Sequence, residues 1–328
     1  MFFVFVLLDL IFYTLVNANY FIEILVTHEF ELERFTSSFP FVAAILMLLT
    51  RYACIYFNKD VIQKILNSVP KEYNKLKLQQ FKIDKLLMNF QRFIKFHRYL
   101  NLNAITYAFL MVTFSFIKTG QKNFPFEIKF PFDAFESGIY PILLIWVLFS
   151  HSLYAFTMVT TENVTYGLII IVSAELKMLA ADFRLLRKKS IDIVKCIKRQ
   201  NELYDIVEEL QRIFGIYFFI NFLLSSILIC FTAFTGTISP DPLSLIFSAI
   251  FCLLTMLQIF IQCFFGQILY DANLNLVDSI YECGWENMKD INLKKILILV
   301  IMRSQKCVAF SLFGFWKITL EQFQSVSF

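Results

Sequence analysis

At 328 residues, with 58% apolar side chains and 41 phenylalanines, the chain carries more apolar surface than a soluble domain of ~45–50% apolar residues presents. Its formal charge of +4 lies in stretches between apolar runs and not on the face of a soluble domain, which argues against nucleic acid as a partner and for anionic membrane lipid. Enzyme chemistry lacks its signatures: there is no G-x-G-x-x-G, P-loop or G-x-S-x-G, and His28, His97 and His151 stand apart without metal-ligand spacing, so no catalytic residue, metal or cofactor is expected.

A span needs roughly 20 largely apolar residues. Six runs qualify, at about 1–26, 39–57, 100–117, 139–161, 213–236 and 242–269. Unpaired backbone groups are intolerable in lipid and no period-two barrel pattern is visible, so the spans are helices and the fold class is all-α and polytopic. The polar stretches 51–98, 174–212 and 271–306 hold eleven, nine and five Lys/Arg, whereas 27–38, 119–138 and 237–241 hold three together, against seven acids. Basic loops stay on the cytoplasmic side, so the first set is inside, the second outside, and the N-terminus is cytosolic.

The first run contains Val16-Asn17-Ala18, which could pass for a signal cleavage site, but nothing basic precedes it and it reads as a span. Asp9 and Glu23 lie near its ends, where they can reach water. The inner connection 58–98 follows the second span. On the third span Tyr107, Met111 and Phe114 form a stripe toward the outer half. The outer loop 119–138, with Pro125, Pro131, Phe124, Phe126, Phe130 and Phe132, reads equally as an ordered lid or an interfacial aromatic belt.

The fourth span offers the strongest pocket candidate. Trp146, Ser150, Tyr154, Thr157 and Thr161 fall within about 80° of one another at helical spacing. That stripe mixes apolar faces with hydroxyls, as a small-ligand pocket does, although close packing through small polar residues gives the same pattern. Glu162 ends the span and can reach water. The sequon Asn163-Val164-Thr165 then lies on the inner side and carries no glycan.

Beyond it, 174–190 places Leu176, Leu179, Phe183 and Leu186 on one face, and 191–214 does so with Ile193, Ile197, Leu203, Val207, Leu210 and Phe214. The fourth and fifth spans therefore continue as helices into the cytosol and pack on each other there. Asn221 on the fifth span, and Gln258 with Gln262 on the sixth, suit interhelical hydrogen bonds. Phe247, Ile250 and Phe251 match the pocket stripe in depth. A further run, 296–314, is interrupted by Arg303, Gln305 and Lys306 and reads as a helix packed on protein. The seven cysteines, Cys54, Cys196, Cys230, Cys252, Cys263, Cys283 and Cys307, read as buried apolar packing.

The last third carries Tyr281-Glu282-Cys283-Gly284-Trp285, Ile301-Met302-Arg303-Ser304-Gln305-Lys306, Gly314-Phe315 and Leu320-Glu321-Gln322-Phe323. With Phe130-Pro131-Phe132-Asp133 and Ser225-Ser226…Cys230, these runs resemble the insect odorant receptors, most specifically at 301–323. The resemblance implies a seven-helix receptor of inverted topology, here with six complete spans and an incomplete seventh. It implies a tuning subunit that binds a small volatile and gates a cation channel in a heterotetramer with an odorant co-receptor, in the plasma membrane of a sensory neuron's dendrite.

Carried onto this sequence, the ligand pocket would draw on Tyr107, Met111, Phe114, Trp146, Ser150, Tyr154, Thr157, Phe247, Ile250 and Phe251. A cytosolic anchor between subunits would include Trp285, Met302, Arg303, Gln305 and Lys306. The organisation expected is helices one to four in 1–173, cytosolic helical extensions in 174–212, helices five and six in 213–270, and the anchor with the start of the seventh span in 271–328. Against the family pattern the chain reads as shortened at both ends. Gustatory receptors of the same superfamily, and a fragment that does not conduct, are the alternatives; a transporter would need paired broken spans that are not visible.

Overall fold

The computed structural model describes residues 9, 11–16, 19, 22, 32–68, 88–95, 98–99, 124, 130, 132–135, 138–186, 193–238, 242–287, 290–305, 310–312 and 316–327. These form α1 (Leu32–Phe57), α2 (Lys59–Ser68), α3 (Tyr140–Leu185), α4 (Ile193–Ile238), α5 (Pro242–Tyr281), α6 (Ile291–Ser304), β1 (Ser311–Leu312), β2 (Trp316–Lys317) and α7 (Leu320–Ser327). Residues 9, 11–16, 19 and 22 are helical as well. The third span, with Tyr107, Met111 and Phe114, lies outside the described residues, as do Lys306 and Cys307.

Among the described residues, three helical stretches are long and apolar enough to cross a membrane: Tyr140–Leu185, Ile193–Phe234 and Cys252–Tyr281. The bent pair Val42–Phe57 and Lys59–Ser68, inclined by 64°, makes a fourth if it is taken as one span. The bend falls at Asn58, whose amide Nδ2 donates to the Cys54 carbonyl at 2.9 Å while its own carbonyl accepts from Ile62 N–H at 3.0 Å.

α3 and α4 are each 46 residues, about 69 Å at 1.5 Å per residue, against a hydrocarbon layer of about 30 Å. Each must project beyond the apolar layer, and its own polar half is the part that does so. Pro141 in the first turn of α3 and Pro242 at the start of α5 sit where a missing N–H costs nothing. The predicted continuation of the fourth and fifth spans as helices is thus observed.

The chain gathers into two compact units. One comprises Met1–Tyr52, Phe93–Asn163 and Asn221–Met256, and the other Ala53–Arg92, Val164–Ile220 and Leu257–Phe328. In the first, Ala43, Met47 and Leu228 form one buried cluster, and Val16, Phe130, Ala134 and Val147 another. In the second, the two amphipathic stripes meet: Leu176, Leu179, Phe183, Leu203, Val207, Leu210 and Phe214 are all buried. Tyr166 stacks on Phe265 at 4.3 Å, and Phe218 meets Phe310 edge-on at 5.3 Å.

The run 296–314 departs from expectation. Its helix is α6, which begins at Ile291 and ends at Ser304. Asp290 starts it early, because its carboxylate accepts from the Asn292 and Leu293 N–H groups at 2.8 and 3.4 Å. The residues 311–312 and 316–317 form a short antiparallel pair instead of continuing the helix. Gln211 on α4 holds that pair by two bonds: its Nε2 donates to the Ser311 carbonyl, and its Oε1 accepts from Ser311 N–H at 2.9 Å. α6 packs through one face only, with Leu297, Val300 and Ser304 buried and Leu299 and Met302 exposed.

Gly266 on α5 permits a second close approach. A Cβ there would overlap the Ile318 carbonyl, so only glycine lets this backbone lie against the helix. Next to it, Gln267 Oε1 accepts from Leu320 N–H at 3.2 Å and so fixes the start of α7.

The cysteines are mixed. Cys196, Cys263 and Cys283 are buried as expected, Cys54 and Cys252 are half-buried, and Cys230 is exposed, a correction to the packing reading. On an apolar helix, an exposed position faces lipid without a polar cost.

The α3 and α4 extensions are tied by Glu175, buried on α3, which meets Arg199 of α4 at 3.0 Å; Arg199 also reaches Glu202 at 3.2 Å and the Ser68 carbonyl at 3.4 Å. Burial raises the Glu175 pKa above the ordinary carboxylate range, and the Arg199 hydrogen bond and charge offset this only in part. A raised folded-state pKa favours folding below the ordinary glutamate value and loses that contribution as pH rises through the folded value. Thermal unfolding of wild type against Glu175→Gln should therefore show the wild type gaining on the variant as pH falls toward the ordinary glutamate value of about 4.3. A pH-independent difference would exclude Glu175 as the titrating group.

Candidate functional site

Within the first unit the fourth-span stripe turns toward the first helix. Trp146 Nε1 donates to Asp9 Oδ1 at 3.1 Å, and Ser150 Oγ donates to the same oxygen at 3.0 Å. Ser150 is fully buried. One helical turn separates the two donors, so a single acceptor can bridge them. Asp9 does not rest at a span end in water: it is a helix-to-helix acceptor, correcting that expectation.

Aromatic rings enclose the Trp146 side chain. Phe12, Tyr13 and Phe130 approach its ring system at 5.2, 6.2 and 6.1 Å, each steeply inclined to it. Phe124 meets Phe130, Phe135 and Tyr140 at 5.4, 5.6 and 5.4 Å. The described rings of the outer loop thus pack on one another and on Tyr140.

Further along the stripe, the hydroxyls are turned inward on their own helix. Thr157 Oγ1 donates to the Leu153 carbonyl at 2.8 Å, and Thr161 Oγ1 to the Thr157 carbonyl at 2.9 Å. Tyr154 is half-buried and packs with Leu153 and Met158 against Leu48 of α1. Arg51 of α1 has no solvent exposure; it pairs with Glu162 at 2.9 Å and donates to the Met158 carbonyl at 3.2 Å. Glu162 is therefore buried and paired, again not simply hydrated. On the sixth span Ile250 is 49% exposed, while the side chains of Phe247 and Phe251 lie outside the described residues.

In the second unit, Gln262 Nε2 donates to the Phe218 carbonyl at 3.2 Å, the interhelical bond anticipated for it. A cleft of about 690 Å³ opens between α5 and the segment from Lys317 to Gln324, lined by Gln267, Tyr270, Asp271, Lys317 and Glu321. Lys317 Nζ stands 5.1 Å above the Tyr270 ring. Of the residues expected at an anchor, Trp285 is half-buried, following Gly284 at φ 78°, and Met302, Arg303 and Gln305 are exposed. Gly284 answers the turn's need for a left-handed residue. Burial raises the thiol pKa of the adjacent Cys283, which keeps it protonated and unreactive.

Comparison with known proteins decides what this arrangement belongs to. A sequence model of the 7tm odorant receptor family matches residues 31–327. The chain belongs to the odorant receptor family. Odorant receptors 85c and 85b of Drosophila melanogaster are 26% and 28% identical to it over 199 and 204 residues, covering 58% of this chain and 50% of each of theirs. The chain thus spans about half the length of the curated relatives it matches. The insect olfactory receptor OR5 from Machilis hrabei shares the fold at a TM-score of 0.79 and 14% identity, over 98% of this chain and 84% of that one. The same receptor in complex with eugenol matches at 0.79 and 13% identity, with the same coverage.

This chain of the odorant receptor family is accordingly an all-α, multi-pass membrane protein of the seven-helix insect receptor fold. The family match selects this reading over the gustatory one. What sequence reasoning missed was the pairing of charges. Arg51 reads in sequence only as the first residue of a basic stretch, yet it lies within the second span and pairs with Glu162 at the end of the fourth. Their positions along the two apolar runs differ, so no signal local to either residue names the other.

Removing one member of a buried pair leaves the other uncompensated, at about 3–5 kcal/mol. Arg51→Leu should lower the melting temperature of the purified protein strongly, and the Arg51→Met/Glu162→Met double variant should recover most of the loss. A single variant within about 1 kcal/mol of wild type would place this pair with the weak, solvent-exposed ones.

Proposed function

We propose that the chain is a tuning subunit of a heteromeric odorant receptor, in which a small volatile bound among the outer halves of the spans biases a cation channel toward opening. Binding can do so only through a difference in affinity between closed and open states. The observation that carries this reading is the Trp146 environment: aromatic walls with two or three oriented polar groups, the composition of a small-ligand site. That OR5 has been solved in complex with eugenol supports a ligand of this size. Trp146, Ser150, Tyr154, Thr157 and Ile250 are the proposed members whose side chains are described, and Tyr107, Met111, Phe114, Phe247 and Phe251 are proposed to complete the site.

The channel partner proposed is an odorant co-receptor, met at a cytosolic anchor that includes Trp285, Met302, Arg303, Gln305 and Lys306. The same reading puts helices one to four in 1–173, with 119–138 outside and 58–98 inside, helices five and six in 213–270, 174–212 and the anchor of 271–328 on the cytosolic side, and the N-terminus inside, in the plasma membrane of a sensory dendrite. The excess of Lys and Arg in 51–98, 174–212 and 271–306 supports that orientation.

Co-expression with a co-receptor and recording of odorant-evoked current tests the proposal. Trp146→Ala or Tyr154→Ala should shift the half-maximal odorant concentration by about tenfold, equivalent to 1.4 kcal/mol, with surface expression retained. Unchanged curves for both variants would remove the stripe from the pocket. In the same cells, a tag ahead of Met1 should be reached by antibody only after permeabilisation; staining of intact cells would overturn the orientation.

A further inference from the structure

We propose that Asp9 makes the Trp146 site selective for small protonated amines, an inference that rests on the receptor reading above and names its ligand class. A carboxylate offers about four acceptor positions. Oδ1 of Asp9 takes the Trp146 and Ser150 donors, whereas Oδ2 is sealed from solvent and receives no hydrogen bond. Glu162, a carboxylate buried in the same unit, has a guanidinium built against it. Among the described residues, no cation stands at bonding distance from Asp9.

A half-buried carboxylate whose second oxygen is sealed from solvent, with an open acceptor and no cation, is incomplete by the rule that charges withdrawn from water are paired. The surrounding rings define what completes it. Phe12, Tyr13 and Phe130 bring their rings within 5.2 to 6.2 Å of Trp146, the carboxylate's indole donor. Ring faces attract cations, and an ammonium group also brings the N–H donors that Oδ2 lacks. An alcohol of the same shape satisfies the acceptor but leaves the charge unpaired. A carbonyl compound presents an acceptor to an acceptor and is disfavoured. The order of preference is therefore amine, alcohol, carbonyl.

The full chain in phosphatidylcholine nanodiscs is tested by equilibrium dialysis against 2-phenylethylamine, 2-phenylethanol and phenylacetaldehyde, with empty nanodiscs as the blank. The amine should bind about tenfold or more tighter than the alcohol, the factor a charge-assisted hydrogen bond supplies, and the aldehyde should bind weakest. Asp9→Asn retains an oxygen for Trp146 and Ser150 and should abolish the amine's advantage over the alcohol. Equal affinities in the wild type would overturn the proposal, as would an amine advantage that survives Asp9→Asn. The wild-type ranking needs no variant, so it decides the matter even where Asp9→Asn fails to fold. Dialysis reads occupancy and not current: a chain that binds amines in this order but never gates with a co-receptor overturns the functional reading alone.

Discussion

A guanidinium with no exposure to solvent can persist only against a carboxylate, and in the first unit that requirement fixes α1 against α3 at Arg51 and Glu162. Sliding either helix by one turn would separate the two charges by about 5.4 Å and leave both buried alone. The Met158 carbonyl adds a second point of attachment on α3. With that register set, Leu48 meets Tyr154, and the stripe that begins at Trp146 faces the helix carrying Asp9. Apolar helix faces slide past one another at little cost, so the few polar contacts carry the positional information.

The same logic separates what was legible in the sequence from what was not. Apolar runs of membrane length and the 3.6-residue stripes at Leu176–Phe183 and Leu203–Phe214 announce helices and their buried faces, because both depend on residues close in sequence. Their buried positions in the structure are those the spacing gives. The family resemblance at 301–323 was legible for a different reason: a short specific word survives where overall identity is low. Partners distant in sequence were not legible. Asp9 and Trp146 are separated by 137 positions, and nothing local to either names the other. The end of α6 was misjudged because apolar content continues past Ser304 while Gln211, on another helix, draws Ser311 into an extended pair.

Function in this family's fold rests on a tension between solvation and selectivity. A pocket lined only by phenylalanine would accept many volatiles of similar size, since dispersion is not directional. Each polar group placed in it narrows the range of ligands and must be reconciled with an apolar surrounding. The threonines of the stripe are reconciled internally, by bonding carbonyls one turn back on α3. Ser150 is reconciled across helices, through one oxygen of Asp9. The candidate site thus contains both kinds of polar residue, and only the second kind couples a ligand to the relative placement of two helices.

Gly266 has a consequence for how this chain tolerates change. Because the Ile318 carbonyl occupies the space of a missing methyl group, helix and segment fit as a key fits a slot, with clearance on the order of one carbon atom. Every other amino acid at that position would lift the Lys317–Thr319 backbone from α5 and take the neighbouring Gln267 bond with it. One hydrogen atom in place of a side chain therefore governs whether the terminal part of the polypeptide is seated.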